Sequence, residues 1–169
     1  MVQADLTEGF RIGDTVKIKT GNAYRYYQIA KRDTLFYVKT NHSAVTAGTT
    51  ALSYTKMDDL NPPDNYLFQI YRIELVKGNV QAFLNQPSST NRWGTNVAPT
   101  SGFLTDDHNT AEVEIYITKN NHPSIAFKNL TNASQTPVTR WDGFSYELKP
   151  LTEAETKGKP FIEIATEGI

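Results

Sequence analysis

An all-β fold is what the sequence predicts: an antiparallel β-sandwich, jelly-roll-like, with about nine or ten strands and one short helix near residues 152–158. Three observations lead there. First, apolar and polar side chains alternate without a slip over residues 111–118, and do so again over 15–20, 144–148 and 161–165. A period of two puts Val113, Ile115 and Ile117 on one face and Glu112, Glu114 and Tyr116 on the other. A strand with one dry and one wet face belongs to an antiparallel sheet packed on a second layer. Second, these runs are separated by turn-forming residues, among them Gly13-Asp14, Gly21-Asn22 and Asn61-Pro-Pro-Asp64. Third, Thr, Asn, Ser and Gln are abundant while charge is modest, and Thr suits strands as Asn suits turns.

Taken in order, residues 1–10 read as an extended N-terminal arm and residues 11–169 as a single β-sandwich domain. Residues 15–20 form the first strand. Residues 24–30 and 34–40 read as a hairpin around Lys31, Arg32 and Asp33. A weak strand is expected at 51–55, and the two prolines at 62 and 63 end it by fixing φ and removing two donors. Residues 66–76 are the longest apolar stretch. Phe68 and Ile70 have one parity and Ile73 and Leu75 the other, so the inward face changes near Tyr71 and Arg72, as a β-bulge would make it. Short strands follow at 80–84, 111–118 and 124–128, with a further one at 137–141, a turn over 141–144 and a strand over 144–148. Thr152-Glu-Ala-Glu155 fits a capping box with Thr152 as N-cap, giving one short helix that stops at Gly158. Residues 161–165 close the chain as a strand. The core is expected to include Val16, Ile18, Phe68, Ile70, Val113, Ile115, Ile117 and Ile164.

At 169 residues the chain is long enough to bury a core without staples, and it contains no cysteine to make them. Thiol catalysis and thiolate metal sites are thereby excluded. A net charge of −1 and a pI near 6.3, with no basic run longer than Lys31-Arg32, argue against nucleic acid as the main ligand. No apolar run approaches the roughly 20 residues of a membrane helix, and the start lacks the charged-then-apolar pattern of a secretory signal. Asn41, Asn129 and Asn132 begin triplets that match the glycosylation sequon, as Asn-rich loops produce by chance.

Motifs for chemistry are missing. His42, His108 and His122 lie in expected loops, none at ligand spacing to another. No Gly-x-Ser-x-Gly turn or phosphate loop occurs. Asp106 and Asp107 are the nearest thing to a metal site and would suit only calcium, but the spaced calcium loop is absent. No catalytic residue and no cofactor is therefore expected. The aperiodic residues 85–107 form a long loop of the sort that tends to meet a partner.

Two functional expectations follow. One is a non-enzymatic structural assembly protein, a virus or bacteriophage virion subunit with a jelly-roll shell fold. It would associate with itself and with other virion proteins, assembling in the host cytoplasm. Its contacts are expected at Val2, Leu6 and Phe10 of the arm and at Arg92 and Trp93 of the long loop, because short apolar arms and Trp–Arg pairs gain most when a partner buries them. The alternative is a carbohydrate-binding β-sandwich module using Trp93, Trp141 or Tyr26, since exposed aromatic rings stack on sugars.

Overall fold

The computed structural model describes residues 10–20, 23–85, 105, 108–119, 123–158 and 160–165. Nine strands make two sheets among these residues. They are β1 (Thr15–Thr20), β2 (Ala23–Asn41), β3 (Thr55–Lys56), β4 (Tyr66–Lys77), β5 (Gln81–Asn85), β6 (Thr110–Ile117), β7 (Ser124–Lys128), β8 (Val138–Pro150) and β9 (Ile162–Ala165). One sheet has six strands in the order β6-β4-β8-β2-β1-β9 and the other has three in the order β3-β7-β5. Every pairing is antiparallel except β1 with β9, which run parallel. The all-β, two-sheet expectation holds. The division into six and three differs from the eight-stranded pair of Greek keys that defines a jelly roll.

Two elements are longer than their sequence implies. The expected hairpin around residues 31–33 is a single 19-residue strand, β2. Its turn-like residues are absorbed by register shifts between Ile29 and Lys31 and between Arg32 and Leu35 against β8. There Lys31 bridges Asp33 at 3.3 Å and Glu147 of β8 at 3.6 Å, so the charged triplet closes a bulge, not a loop. Likewise the expected turn at 141–144 lies inside β8, which is continuous over 13 residues. Gly143 is needed there because a Cβ would collide with the Gln69 carbonyl oxygen of β4 and meet Ile70 Cδ1 at 3.0 Å. The weak strand expected at 51–55 shrinks to Thr55–Lys56.

The parity change in β4 is real. Register against both β6 and β8 shifts between Ile70 and Arg72, so even positions before the bulge and odd positions after it face the same core. That core gathers Ile70, Ile73 and Leu75 of β4, Val113, Ile115 and Ile117 of β6, and Trp141 of β8. Ala82 and Leu84 of β5, Ile125 of β7, and Met57 and Leu60 around a 3-10 turn (Asp58–Leu60) pack on them from the second sheet's side. On the opposite face of the large sheet lies another core of Phe10, Val16, Ile18, Ile29, Leu67, Tyr116, Phe144, Tyr146 and Leu148. Of the expected core residues, Val16, Ile18, Ile70, Val113, Ile115 and Ile117 are buried. Phe68 is partly buried against the first core, and the side chain of Ile164 is outside the described residues.

The short helix α1 (Glu153–Thr156) starts on the expected capping box. Glu155 N–H donates to Thr152 Oγ1 at 3.3 Å, and Thr152 N–H donates to Glu155 Oε1 at 3.1 Å. Gly158 then leaves it at φ +76°, a conformation that favours glycine. Among the described residues no helix is long and apolar enough to cross a membrane.

Candidate functional site

Among the described residues, two concavities that border the sheets are built by strand ends. The first, of about 500 Å³, opens where the end of β2 passes over β7 and is lined by His42, Ser43, Lys56, Asp58, Asp59 and Phe127 among others. His42 is half-buried. Its ring packs edge-on against Phe127 at 4.9 Å, and its Nε2 lies 2.7 Å from Thr139 Oγ1. Trp141 Nε1 donates to the same Thr139 oxygen at 2.9 Å. An indole N–H can only donate, so the Thr139 oxygen accepts from it and its own proton is free to go to a neutral His42. Burial pushes His42 below the ordinary imidazole range, and the Asp59 carboxylate pulls weakly the other way. Asp59 itself accepts from Thr40 Oγ1 at 3.1 Å.

This constellation superficially resembles a nucleophile beside a base. Thr139 is fully buried, however, so its hydroxyl is not presented to the groove and the pair does not make an activated nucleophile. Among the described residues no three His, Asp or Glu side chains converge as metal ligands would.

The second concavity is wider, about 1200 Å³, and lies at the other end of β2. One wall is the Tyr24–Tyr27 segment of β2. The other is the segment that leaves β8 at Pro150 and runs through α1 to Lys157, with Asn65 at the base. The wall is fixed to the strand because Leu151 N–H donates to the Tyr26 carbonyl at 2.9 Å. Tyr26 meets Phe161 edge-on at 5.6 Å and 88°. The Lys17 ammonium of β1 sits 4.2 Å from the Tyr24 ring centre, 5.3 Å from that of Phe161 and 5.7 Å from that of Tyr26. Three rings are thus gathered round one cation. Tyr24 and Phe161 stay 45% and 46% exposed.

The expected site residues fare differently. Tyr26 borders the second groove. Trp141 is corrected: it is fully buried in the first core, where its N–H is satisfied, and cannot stack on a sugar. Phe10 is fully buried within its own chain. It packs on Tyr116 at 5.5 Å and Tyr146 at 5.4 Å, and its N–H donates to Tyr146 Oη at 2.7 Å. Its ring therefore has no free surface for a neighbour. Val2, Leu6, Arg92, Trp93, Asp106 and Asp107 lie outside the described residues.

Of the sequons, Asn129 is structural. It is fully buried and its amide donates to the carbonyls of Val45 at 2.8 Å and Ala133 at 2.9 Å, so both amide hydrogens are in use. Sequence reasoning missed Arg25, Glu153 and Lys157 at the second groove. The tyrosine crowding at 24–27 was a usable signal, but nothing local links it to residues over a hundred positions on.

Comparison of the chain with known protein families, with curated proteins and with solved structures finds no match.

Proposed function

We propose that this chain is a non-enzymatic structural subunit that associates with copies of itself, of the kind that tiles a virus or bacteriophage shell. The observation that carries self-association is the part of β2, β8 and β4 that lies beside the second core, on the same face of the large sheet. Leu35 and Tyr37 stand there 56% and 60% exposed, side by side on β2, although the opposite face of these strands is closed by the second sheet. Beside them run Arg140 with Asp142 at 3.0 Å and Arg72 with Glu74 at 3.6 Å, and the Arg140 guanidinium lies 4.2 Å from the Tyr37 ring centre. Exposed apolar side chains beside both signs of charge supply what an isologous contact uses, since each copy then offers its partner the groups it needs. Val2, Leu6, Arg92 and Trp93 belong to the same proposal as contributors of further contacts. The virion setting itself rests on fold-level analogy.

Sedimentation velocity across a concentration series tests this. The full chain should sediment as oligomers that dissociate on dilution, and electron micrographs of concentrated protein should contain closed shells or tubes. A Leu35→Ser/Tyr37→Ser variant should shift to monomer with its β-type circular dichroism unchanged. A chain that is monomeric throughout, or a double variant that assembles as readily, overturns the reading.

A further inference from the structure

The groove between Tyr24 and α1 has features that self-association does not use, and we infer that it is a binding cleft for an oligosaccharide bearing carboxylates. The inference is independent of the subunit reading.

Four observations converge. The aromatic wall is packed: Tyr26 meets Phe161 edge-on, and Lys17 lies over one face of Tyr24 while that residue stays 45% exposed. Ring surface is therefore available to the apolar face of a pyranose. The opposite wall is tied in place by the Leu151–Tyr26 hydrogen bond and the Thr152–Glu155 capping box, which lowers the ordering entropy that binding must overcome.

The third observation is the backbone of β2. Strand hydrogen bonds alternate sides, and the side on which the Tyr26 carbonyl meets Leu151 is the side away from β1. Tyr24, two residues earlier, turns its N–H and C=O the same way, beyond the end of β8, where no described strand pairs with it. That supplies one donor and one acceptor for sugar hydroxyls, and Asn65 also lines the groove.

The fourth is charge. Among the described lining residues Arg25 and Lys157 are positive and Glu153 is negative, in a chain whose net charge is −1, with Arg25 on the face of β2 opposite the Tyr24 ring. A local positive excess on a near-neutral protein favours an anionic ligand, and hydroxyl-directed groups beside aromatic rings favour a sugar over a bare anion. A volume of about 1200 Å³ suits several sugar units.

Titration calorimetry of the full chain with a panel tests the inference: oligogalacturonate and oligosialic acid as acidic sugars, cellohexaose as a neutral one, and hexaglutamate as an acidic peptide. At least one acidic sugar should bind, about tenfold or more tighter than cellohexaose and hexaglutamate, and more weakly as salt is raised. Tyr24→Ala should lose about tenfold, Tyr24→Phe should retain binding through its ring, and Arg25→Gln with Lys157→Gln should erase the preference for acidic over neutral sugar. These residues are exposed, so the variants should keep the fold, which circular dichroism checks. No binding of either acidic sugar, tighter binding of hexaglutamate, equal binding of the neutral sugar, or indifference to Tyr24→Ala overturns the inference. Sedimentation of the same samples reads the subunit proposal separately.

Discussion

The large sheet is packed on both faces, and its two cores are closed in different ways. The core around Trp141 is a sandwich interior, covered by β5 and β7 and sealed at one end by Met57 and Leu60. On the other face, the core around Tyr146 is crossed by Phe10, which reaches it from the N-terminal side of β1. Adjacent residues serve different cores: Ile115 and Ile117 of β6 point to the first while Tyr116 points to the second. One closure is a sheet held by a ladder of backbone hydrogen bonds. The other depends, among the described residues, on one aromatic side chain whose N–H is satisfied by a buried phenol. Tyr146 Oη accepts from Phe10 N–H at 2.7 Å and donates to Gln69 Oε1 at 3.1 Å, so a polar relay runs through an otherwise apolar layer.

Substitutions at the two centres should separate the closures. Trp141→Ala removes the largest buried ring of the first core and leaves Thr139 without its donor, so a loss of about 3–5 kcal/mol in urea unfolding is expected. Phe10→Ala should cost less, about 3 kcal/mol, because a segment entering from one side can settle into the space better than a sheet can. Both should unfold in one transition if the shared sheet couples the cores. A separate early transition in Phe10→Ala would mean that the second core melts alone, and an equal or larger loss there would reverse the ranking.

Gly143 sits where the two regions meet. It faces the first core between Asp142 and Phe144, and Phe144 belongs to the second. Gly143→Ala pushes a methyl into the Gln69 carbonyl, and Gln69 also receives the Tyr146 hydroxyl. A loss of about 1–3 kcal/mol is expected from overpacking against backbone. Near-ultraviolet circular dichroism should change for the aromatic groups of both cores. A change of less than about 0.5 kcal/mol would show that β4 and β8 can part there, contrary to the close packing at the bulge.

Much of this frame is legible in the sequence, and the failures have a common cause. Residues 15–20, 111–117 and 124–128 read correctly as strands because period-2 alternation marks the pleat, although Tyr116, expected on a wet face, is buried in the second core. The bulge at Tyr71 was visible as a change of parity, and the helix as a capping box. Lys31-Arg-Asp33 and Trp141-Asp-Gly-Phe144 misread as turns, since Gly and Asp favour turns locally. Here β2 and β8 pair along nearly their whole lengths and take up the irregular residues as bulges, which is a tertiary effect no local pattern carries. Trp141 misled for a similar reason: beside a supposed turn it looked exposed, whereas inside a continuous strand its parity points inward. At the second groove the tyrosines were legible and their facing wall was not, because Glu153 and Lys157 come to it through the register of β8.

The smallest effect distinguishes the regions by pH. His42 borders the first core through Thr139, whereas the second core's described members include no group that titrates between about pH 5 and 7. In the folded chain burial holds His42 below its ordinary value of 6.5, against which Asp59 acts weakly; Asp58 and Lys56 line the same groove. As pH falls through the ordinary value the unfolded chain takes up a proton that the folded one resists, so the unfolded state binds more protons and stability falls. The contribution is fully present above about pH 6.5 and is lost as pH drops toward the depressed native value. Urea unfolding of the wild type should therefore weaken between about pH 7 and 5, before the bulk of the carboxylates titrate, and His42→Gln should flatten that part of the profile. Phe10→Ala should keep the wild-type slope while lowering the whole curve. Equal slopes in the wild type and His42→Gln would mean that the ring is solvated in the folded chain and that Thr139 serves Trp141 alone.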